Sequence, residues 1–263
     1  MVERRPIVGG NWKMNMTRDG ATELCRSLLL EAVEPKIDTE IVLYPPYVWL
    51  TDAAAILSES FIRLGAQDGL AESNGAITGG VSLTMLSELV DALLVGHSER
   101  RNIFNETANK FSRQLVSALD MELLTTYCVG ENQAEQESGS TYQVLEEQIA
   151  SVFEGVTGHH LVQAVNNNPE ALVIAYEPVW AIGTGLVAQP NDVQDRAKFI
   201  RKEISNYCDA SQLIRIQYGG SVTQKNAGDF AALKDVDGAL VGGASLNAED
   251  FLSICTAFSV GNH

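Results

Sequence analysis

The sequence predicts one (β/α)8 barrel domain over residues 1–263, an α/β fold in which eight parallel strands close into a ring surrounded by helices. Three observations predict it. Short apolar or β-branched runs recur eight times, segments with helical spacing separate them, and the strand-like runs continue towards the C-terminus. A chain of 263 residues that is 45% hydrophobic, with no low-complexity tract, suits a single domain of this size.

The predicted strands alternate with helical segments, so consecutive strands should be parallel and joined by right-handed crossovers. The strands are Pro6–Gly9, Glu40–Tyr44, Ile62–Ala66, Ala92–Val95, Leu123–Val129, Leu172–Tyr176, Ile214–Tyr218 and Gly238–Val241. A doubly wound open sheet is the alternative. It fits less well, because no Gly-x-Gly-x-x-Gly motif follows the first strand.

Several segments between the strands combine helical spacing with acceptable N-caps, and we predict helices over Thr17–Ala32, Asn191–Asn206 and Asn247–Ala257. The stretch Gly155–Glu170 differs from these, because it carries paired histidines and three consecutive asparagines. We interpret it as a long surface connection with solvated histidines, and we assign it no function.

Composition and charge exclude several classes of function. A formal net charge of −16 argues against a surface for nucleic acid or anionic membrane, since both need clustered Lys and Arg. No apolar run approaches the ~20 residues of a membrane span, and no signal-peptide core follows the N-terminus. The four cysteines are far apart without a Cys-x-x-Cys pair, which disfavours a zinc site or a redox dithiol. We therefore expect a soluble cytoplasmic protein with buried reduced thiols and no metal, cofactor, nucleic-acid partner or membrane contact.

The segment Ala175–Gly185 is the most informative part of the chain. Glu177 follows the sixth predicted strand, so its carboxylate should emerge at the C-terminal rim of the barrel, where barrel enzymes carry their active sites. The next residues include Trp180, a large apolar group that a permanently solvated loop would not need, between Pro178 and a glycine-rich end. We interpret Glu177 as a general base and the segment as a lid. Taken alone, an ordinary strand-to-helix turn with a capping acid would be the better interpretation.

Two other predicted strand ends carry polar groups at the same rim. Lys13 follows the first strand among Gly and Asn, and we interpret it as a fixed positive group. His97 and Glu99 follow the fourth strand at a predicted helix start. A single lysine is more often solvated and a single histidine more often structural. Their position opposite Glu177 in the predicted barrel favours a functional role.

The last two predicted strands both end in paired glycines, within Tyr218–Val222 and Val241–Ser245. Paired glycines let backbone N–H groups approach an anion, and a helix that begins there adds its dipole. Two such pairs on consecutive final strands predict a phosphate site at the rim of the barrel.

Taken together, these motifs resemble the triosephosphate isomerase family along essentially the whole chain. The matching segments follow the family's order: Gly10–Asn15, Gly65–Gln67, Gly96–Arg101, Cys128–Glu131, Ala175–Gly185, Tyr218–Val222 and Val241–Leu246. The resemblance implies a TIM barrel and a glycolytic and gluconeogenic enzyme. Its expected reaction interconverts dihydroxyacetone phosphate and D-glyceraldehyde 3-phosphate by proton transfer through an enediol or enediolate.

The resemblance also implies a role for each matched residue. Glu177 is expected to be the base and His97 the electrophile, while Lys13 and Asn11 stabilise the developing oxyanion and Glu99 supports the site. The residues implied for binding the substrate phosphate are Gly183, Ser221, Gly242 and Gly243. These residue types suit the reaction, because a proton next to a carbonyl is too weakly acidic for a carboxylate unless the carbonyl oxygen is stabilised as it gains charge.

The sequence departs from the family pattern in the lid and in the third loop. Leu186 and Val187 stand where the family has Lys and Thr, and Ser73 replaces a Thr whose hydroxyl reaches the neighbouring subunit's Asn at the position of Asn11. The resemblance implies a homodimer, formed by inserting the loop Gly69–Gly80 into a partner.

Three rival interpretations remain open at this point. Another phosphate-binding barrel would share the terminal glycines but not the set of Lys13, His97 and Glu177. A catalytically impaired barrel of the same family, acting as a binding or surface protein, is disfavoured by the intact base, electrophile and lid. The Asn-x-Thr sequons at Asn15 and Asn105 suggest a secreted glycoprotein, but Asn15 lies in the predicted active-site loop.

Overall fold

The computed structural model describes residues 4–32, 37–183 and 186–261. Within them, eight parallel strands close into one barrel in sequence order, and the last strand pairs with the first. The strands are β1 (Ile7–Asn11), β2 (Glu40–Tyr44), β3 (Ile62–Ala66), β4 (Ala92–Val95), β5 (Leu124–Val129), β6 (Leu172–Tyr176), β7 (Arg215–Tyr218) and β8 (Gly238–Val241). The predicted fold class is confirmed. Strands β2, β3, β4, β6 and β8 have the predicted bounds, because each is a short, almost wholly buried run.

Side chains alternate along each strand between the barrel interior and the layer of helices, as the two-residue period of a strand requires. The interior cluster contains alternate residues of several strands: Ile7, Val42, Tyr44, Ala92, Leu94, Leu124, Cys128, Val173, Ala175 and Leu240. The strand residues of opposite parity pack outwards against the apolar faces of the helices. The barrel is therefore filled by side chains, and its functional surface is the rim.

The helices lie outside the barrel and return the chain from the end of each strand to the start of the next. They are α1 (Arg18–Glu31), α2 (Leu50–Leu57), α3 (Leu83–Leu86), α4 (Ser98–Asn102), α5 (Ala108–Asp120), α6 (Gln133–Glu137), α7 (Thr141–Phe153), α8 (Gly155–Asn167), α9 (Pro190–Ser205), α10 (Ala227–Ala231) and α11 (Ala248–Gly261). The predicted helices correspond to α1, α9 and α11. Thr17 caps α1 as its position predicts, because its hydroxyl accepts a hydrogen bond of 3.3 Å from the N–H of Gly20.

The predicted surface connection over residues 155–170 is wrong, because Gly155–Asn167 forms helix α8. Leu161 and Val165 are buried on one face of this helix, which packs beside α5 and α7. His159 and His160 are exposed, as expected. The polar residues of α8 occupy its solvent face. The narrow apolar stripe on its other face was therefore not recognised from the composition of the segment.

Gly158 allows α8 to begin directly after α7. A Cβ atom at this position would overlap the backbone carbonyl of Phe153, the last residue of α7. Only glycine leaves room for such a close approach of two backbones.

We predict that Gly158→Ala destabilises the protein by about 1–3 kcal/mol, because the added methyl group forces the backbones of α7 and α8 apart. The matched control is Gly228→Ala in α10, where an added Cβ meets nothing within 4 Å. The control should leave stability unchanged or raise it by up to about 1 kcal/mol through helix propensity. Urea unfolding at one protein concentration measures both. A Gly158→Ala variant as stable as the parent would contradict the close approach.

Two further features of the structure concern its cysteines and the length of its apolar helices. The cysteines Cys25, Cys128, Cys208 and Cys255 are all free and buried, as predicted. No helix within the described ranges is long and apolar enough to cross a membrane.

Candidate active site

The side chain of Glu177 lies at the rim because it continues the inward–outward alternation of side chains along β6. Val173 and Ala175 face the barrel interior, so the side chain two positions further along the chain is directed to the same side. Its backbone N–H donates to the carbonyl of Val129 at 2.7 Å, which extends the pairing of β5 with β6 by one step. Gly130 makes this possible, since a Cβ there would overlap the carbonyl of Glu177. The side chain of Glu177 is almost completely buried.

The carboxylate of Glu177 is held by two groups from the end of β4. Its Oε1 lies 2.9 Å from Nε2 of His97, and its Oε2 accepts a hydrogen bond of 2.9 Å from the backbone N–H of Ser98. The structure thus brings the predicted base and electrophile into direct contact.

His97 is the N-cap of α4, and this position determines its tautomer. Its Nδ1 accepts a hydrogen bond of 3.2 Å from the backbone N–H of Glu99 in the first turn. Because Nδ1 is an acceptor, the neutral ring carries its proton on Nε2, the nitrogen that faces Glu177.

The two buried side chains shift each other's pKa. Burial opposes charge on His97, but the adjacent Glu177 carboxylate raises the pKa of His97 above its ordinary value of 6.5. Burial would raise the pKa of Glu177, but His97 and the N–H of Ser98 hold it below its ordinary value of 4.5. Each group therefore stabilises the ionised form of the other in this arrangement.

Lys13 lies beyond the end of β1 in a left-handed backbone conformation with φ of 53°. Two side chains hold this conformation: Asn11 Oδ1 accepts from the N–H of Lys13 at 3.0 Å, and Gln67 Nε2 donates to its carbonyl at 2.9 Å. The ammonium group donates to Glu99 Oε1 at 2.6 Å. A chain of contacts thus runs from Asn11 through Lys13, Glu99 and His97 to Glu177.

The predicted phosphate residues lie on the same rim. Ser221 donates to the carbonyl of Ala181 at 2.6 Å, which ties the end of β7 to the predicted lid. Gly242 lies beside Lys13, since a Cβ there would be 3.5 Å from the lysine Cε. Gly183 is exposed with φ of 69°, and Gly243 begins a short 3-10 turn. Of the predicted lid, residues 184 and 185 lie outside the described residues.

Sequence reasoning missed Glu131, which anchors the segment of the predicted lid. This buried carboxylate accepts hydrogen bonds through Oε1 from the indole of Trp180 at 2.9 Å and from the hydroxyl of Tyr176 at 3.1 Å. Its backbone carbonyl accepts from the N–H of Val179 at 3.0 Å. Burial raises the pKa of Glu131 against the effect of these bonds. The sequence did offer a signal for Glu131. It is a carboxylate directly after a predicted strand, in a chain whose predicted lid contains a Trp.

Within the described residues, no group of three or more His, Cys, Asp or Glu side chains is placed to hold a metal ion. The expectation of no metal or cofactor stays a prediction.

Comparison with known proteins identifies the family of this barrel. The sequence profile described as triosephosphate isomerase matches residues 6–258. The chain belongs to the triosephosphate isomerase family. This confirms the family resemblance seen in the motifs.

Curated relatives in the triosephosphate isomerase family cover almost the whole chain. The chain is 43% identical over 254 residues to "Triosephosphate isomerase" of Caldanaerobacter subterraneus subsp. tengcongensis, covering 95% of this chain and 98% of the relative. It is 44% identical over 253 residues to the protein of that name from Moorella thermoacetica, with the same coverage. The protein of that name from Dehalococcoides mccartyi is 40% identical over 259 residues, covering 98% of both chains.

The coupled pKa shifts predict how stability depends on pH. The raised pKa of His97 contributes to the free energy of unfolding. This contribution is complete below pH 6.5 and is lost as pH rises through the pKa of His97 in the folded state. The lowered pKa of Glu177 also contributes to the free energy of unfolding. This contribution is present above pH 4.5 and is lost as pH falls through the pKa of Glu177 in the folded state. The difference in unfolding free energy between the parent and Glu177→Gln should therefore be largest between pH 4.5 and 6.5. Urea unfolding from about pH 4 to about pH 9 tests this, and a difference independent of pH would contradict the coupling.

Proposed function

We propose that this chain is a triosephosphate isomerase, interconverting dihydroxyacetone phosphate and D-glyceraldehyde 3-phosphate at the site around Glu177, His97 and Lys13. The observation that carries the proposal is the contact of 2.9 Å between the Glu177 carboxylate and Nε2 of His97, at the rim of a barrel of this family. A carboxylate and an imidazole N–H side by side can serve the two ends of one reacting unit, a carbon-bound proton and the neighbouring carbonyl oxygen.

Glu177 acts as the base. It removes a proton from the carbon next to the carbonyl, and the electron pair left on that carbon forms the double bond of the enediolate as the carbonyl oxygen gains charge. Transfer of a proton from the hydroxyl oxygen to the charged oxygen of the enediolate, and return of the carbon-bound proton from Glu177 to the neighbouring carbon, form the new carbonyl and leave Glu177 ionised again. The same carboxylate thus serves both half-reactions.

His97 and Lys13 stabilise the oxygen that gains charge. Nε2 of His97 carries the proton of the neutral ring, so it donates a hydrogen bond that strengthens along the reaction. The ammonium group of Lys13 adds a positive charge, and Asn11 fixes the backbone that presents it. Glu99 supports both groups, since it contacts the ammonium and its N–H bonds to His97.

Glu177 must leave its resting partners before it can act. In the resting site, His97 and Ser98 lower its pKa, which makes it a weak base. Turning towards substrate removes these donors while burial persists, so its pKa rises and its basicity increases. The pKa of His97 falls at the same time, because the carboxylate that raised it has moved away. Both changes favour an ionised base and a neutral electrophile.

Substrate phosphate is expected at the backbone amides of Gly183, Ser221, Gly242 and Gly243. Glycine offers amides without a side chain in front of them, and an anion gains most from such donors where water is excluded. The lid, anchored through Trp180 to Glu131, supplies that exclusion when it closes. The alternative of an impaired barrel that only binds is not favoured, because the base, electrophile and cation are all in contact with their supports.

We predict that Glu177→Gln lowers kcat by ~10²–10⁴-fold, the usual contribution of a general base, while binding of glycerol 3-phosphate changes little. The glutamine retains the shape of the side chain but cannot accept the proton. A coupled assay with glyceraldehyde 3-phosphate measures the rate, and isothermal titration measures the affinity. The control is Glu137→Gln on α6, which removes an exposed carboxylate that accepts a hydrogen bond from Gln133. A Glu177→Gln variant with more than about a tenth of the parent kcat would show that Glu177 is not the base.

We also infer a homodimer and a cytoplasmic location, the latter because the substrate belongs to glycolysis and gluconeogenesis. In support of the dimer, the third loop is pinned at its base by a bridge between Leu70 and Ser82, while residues 73–80 are all exposed. Ile77 on this loop is 48% exposed, and Met14, next to Lys13, is 95% exposed. Exposed apolar groups on a protruding loop and beside the active site are typical of a surface that a partner covers.

We predict that Ile77→Glu weakens self-association at least ~10-fold, equivalent to ~1.4 kcal/mol, because it places a charge in the proposed interface. Sedimentation velocity over a range of concentrations measures association, and kcat is measured at the same concentrations. Activity should fall as the variant dissociates. Leu30→Glu is the control, since Leu30 is 78% exposed on α1 and lies on neither segment. A parent protein that is fully active as a monomer would rule out the dimer.

A further inference from the structure

Arg101, in α4, connects the ends of two neighbouring strands. Its Nε donates to the carbonyl of Gly96 at 2.7 Å, and its Nη2 donates to the carbonyl of Cys128 at 2.8 Å and to the hydroxyl of Tyr127 at 3.1 Å. The pairing of β4 with β5 ends at Val95 and Tyr127. The guanidinium therefore joins the two strands just beyond their last paired residues.

The surroundings of Arg101 favour this bridge over an ordinary ion pair. Its guanidinium carbon lies 4.5 Å from the ring centroid of Phe111 and 5.4 Å from that of Tyr127, so aromatic faces fix its plane. Among the described residues, no carboxylate lies within ion-pair distance of it, whereas the adjacent Arg100 pairs with Asp68 and Glu106. A planar fork of N–H donors suits two carbonyl acceptors in a way that a point charge does not.

The two bridged carbonyls belong to the segments that carry the reacting pair. Gly96 immediately precedes His97, and Cys128 immediately precedes Val129, whose carbonyl holds the backbone N–H of Glu177. The position of β5 relative to β4 at this level therefore sets the separation of the imidazole from the carboxylate.

A partly open cavity lies on this side of the base. Arg101 and Glu177 both line it, together with Cys128, Asn132 and Gln148. Truncating the arginine would enlarge a space that already opens towards solvent, so a small planar cation could enter the vacated site.

We propose that Arg101 is a positioning residue for the isomerisation, holding the ends of β4 and β5 at the separation that aligns His97 with Glu177. This rests on the proposed function of that pair. Within the described residues, Arg101 makes no hydrogen bond to the predicted phosphate-binding residues or to the Glu177 carboxylate. Its loss should therefore impair the chemical step and leave substrate binding intact. Misplacement of a reacting group by about 1 Å can cost ~10²-fold in rate.

The test compares R101A, R101K and the control R18A, which removes an exposed arginine paired with Asp52. For each protein, kcat is measured with glyceraldehyde 3-phosphate and the dissociation constant with glycerol 3-phosphate, which lacks a carbonyl. The measurements are repeated with guanidinium chloride at about 50 mM, far below the molar concentrations that unfold proteins. Urea unfolding confirms that each variant is folded. If R101A does not fold, the same kinetic criteria are applied to R101K.

We expect kcat of R101A to fall ~10²-fold, while its dissociation constant for glycerol 3-phosphate changes by less than about threefold. Added guanidinium should raise kcat of R101A by at least about tenfold. R101K should lie between R101A and the parent, and R18A should match the parent with or without guanidinium. The proposal is overturned if R101A retains kcat within about threefold, or if kcat and affinity fall together without rescue. Glu177→Gln separates this from the proposed function: full activity in that variant would refute the base, whereas full activity in R101A refutes only the bridge.

Discussion

Closure of eight parallel strands into a ring is the constraint on which the site depends. A closed parallel barrel places the C-terminal end of every strand on one rim, so residues distant in sequence meet there. The two-residue parity of each strand then selects which side chains face inwards. Glu177 lies two positions beyond the interior residue Ala175, whereas Lys13 follows the end of β1 in a left-handed conformation held by Asn11 and Gln67. Strand geometry therefore places Glu177, and side-chain contacts beyond the strand end place Lys13.

In the proposed mechanism, the contacts of Glu177 hold the resting site in a state that differs from the working one. The carboxylate of Glu177 is satisfied by His97 and Ser98, which stabilises the folded protein and weakens the base. A substrate that offers its own proton to the carboxylate and its own oxygen to the imidazole replaces both interactions. Because the pair is buried, breaking it without replacement is costly. On this proposal, the resting contact couples release of Glu177 to the arrival of substrate.

The sequence was informative where a single element determines the outcome. Strands such as β2 and β6 could be predicted because each is a short apolar run with clear limits, and residues that follow such runs were placed correctly on the rim. Helix α8 was missed because its burial depends on two apolar residues and on the fit of Gly158 against α7. The link between Glu131 and Trp180 and the bridge by Arg101 join separate segments, so no local pattern encodes them.

The net charge of −16 raises the question of how this surface accepts an anionic phosphate. The ammonium group of Lys13 lies 2.6 Å from Glu99, so part of its field is already opposed in the resting site. At ~0.15 M salt the screening length is ~8 Å, and remote surface carboxylates act weakly at the rim. Uncharged amides are not neutralised by nearby acids, which leaves the glycine segments after β7 and β8 as the groups best suited to retain a phosphate. In the proposed mechanism, Lys13 is then available to stabilise the oxygen that gains charge, because phosphate binding does not depend on it alone.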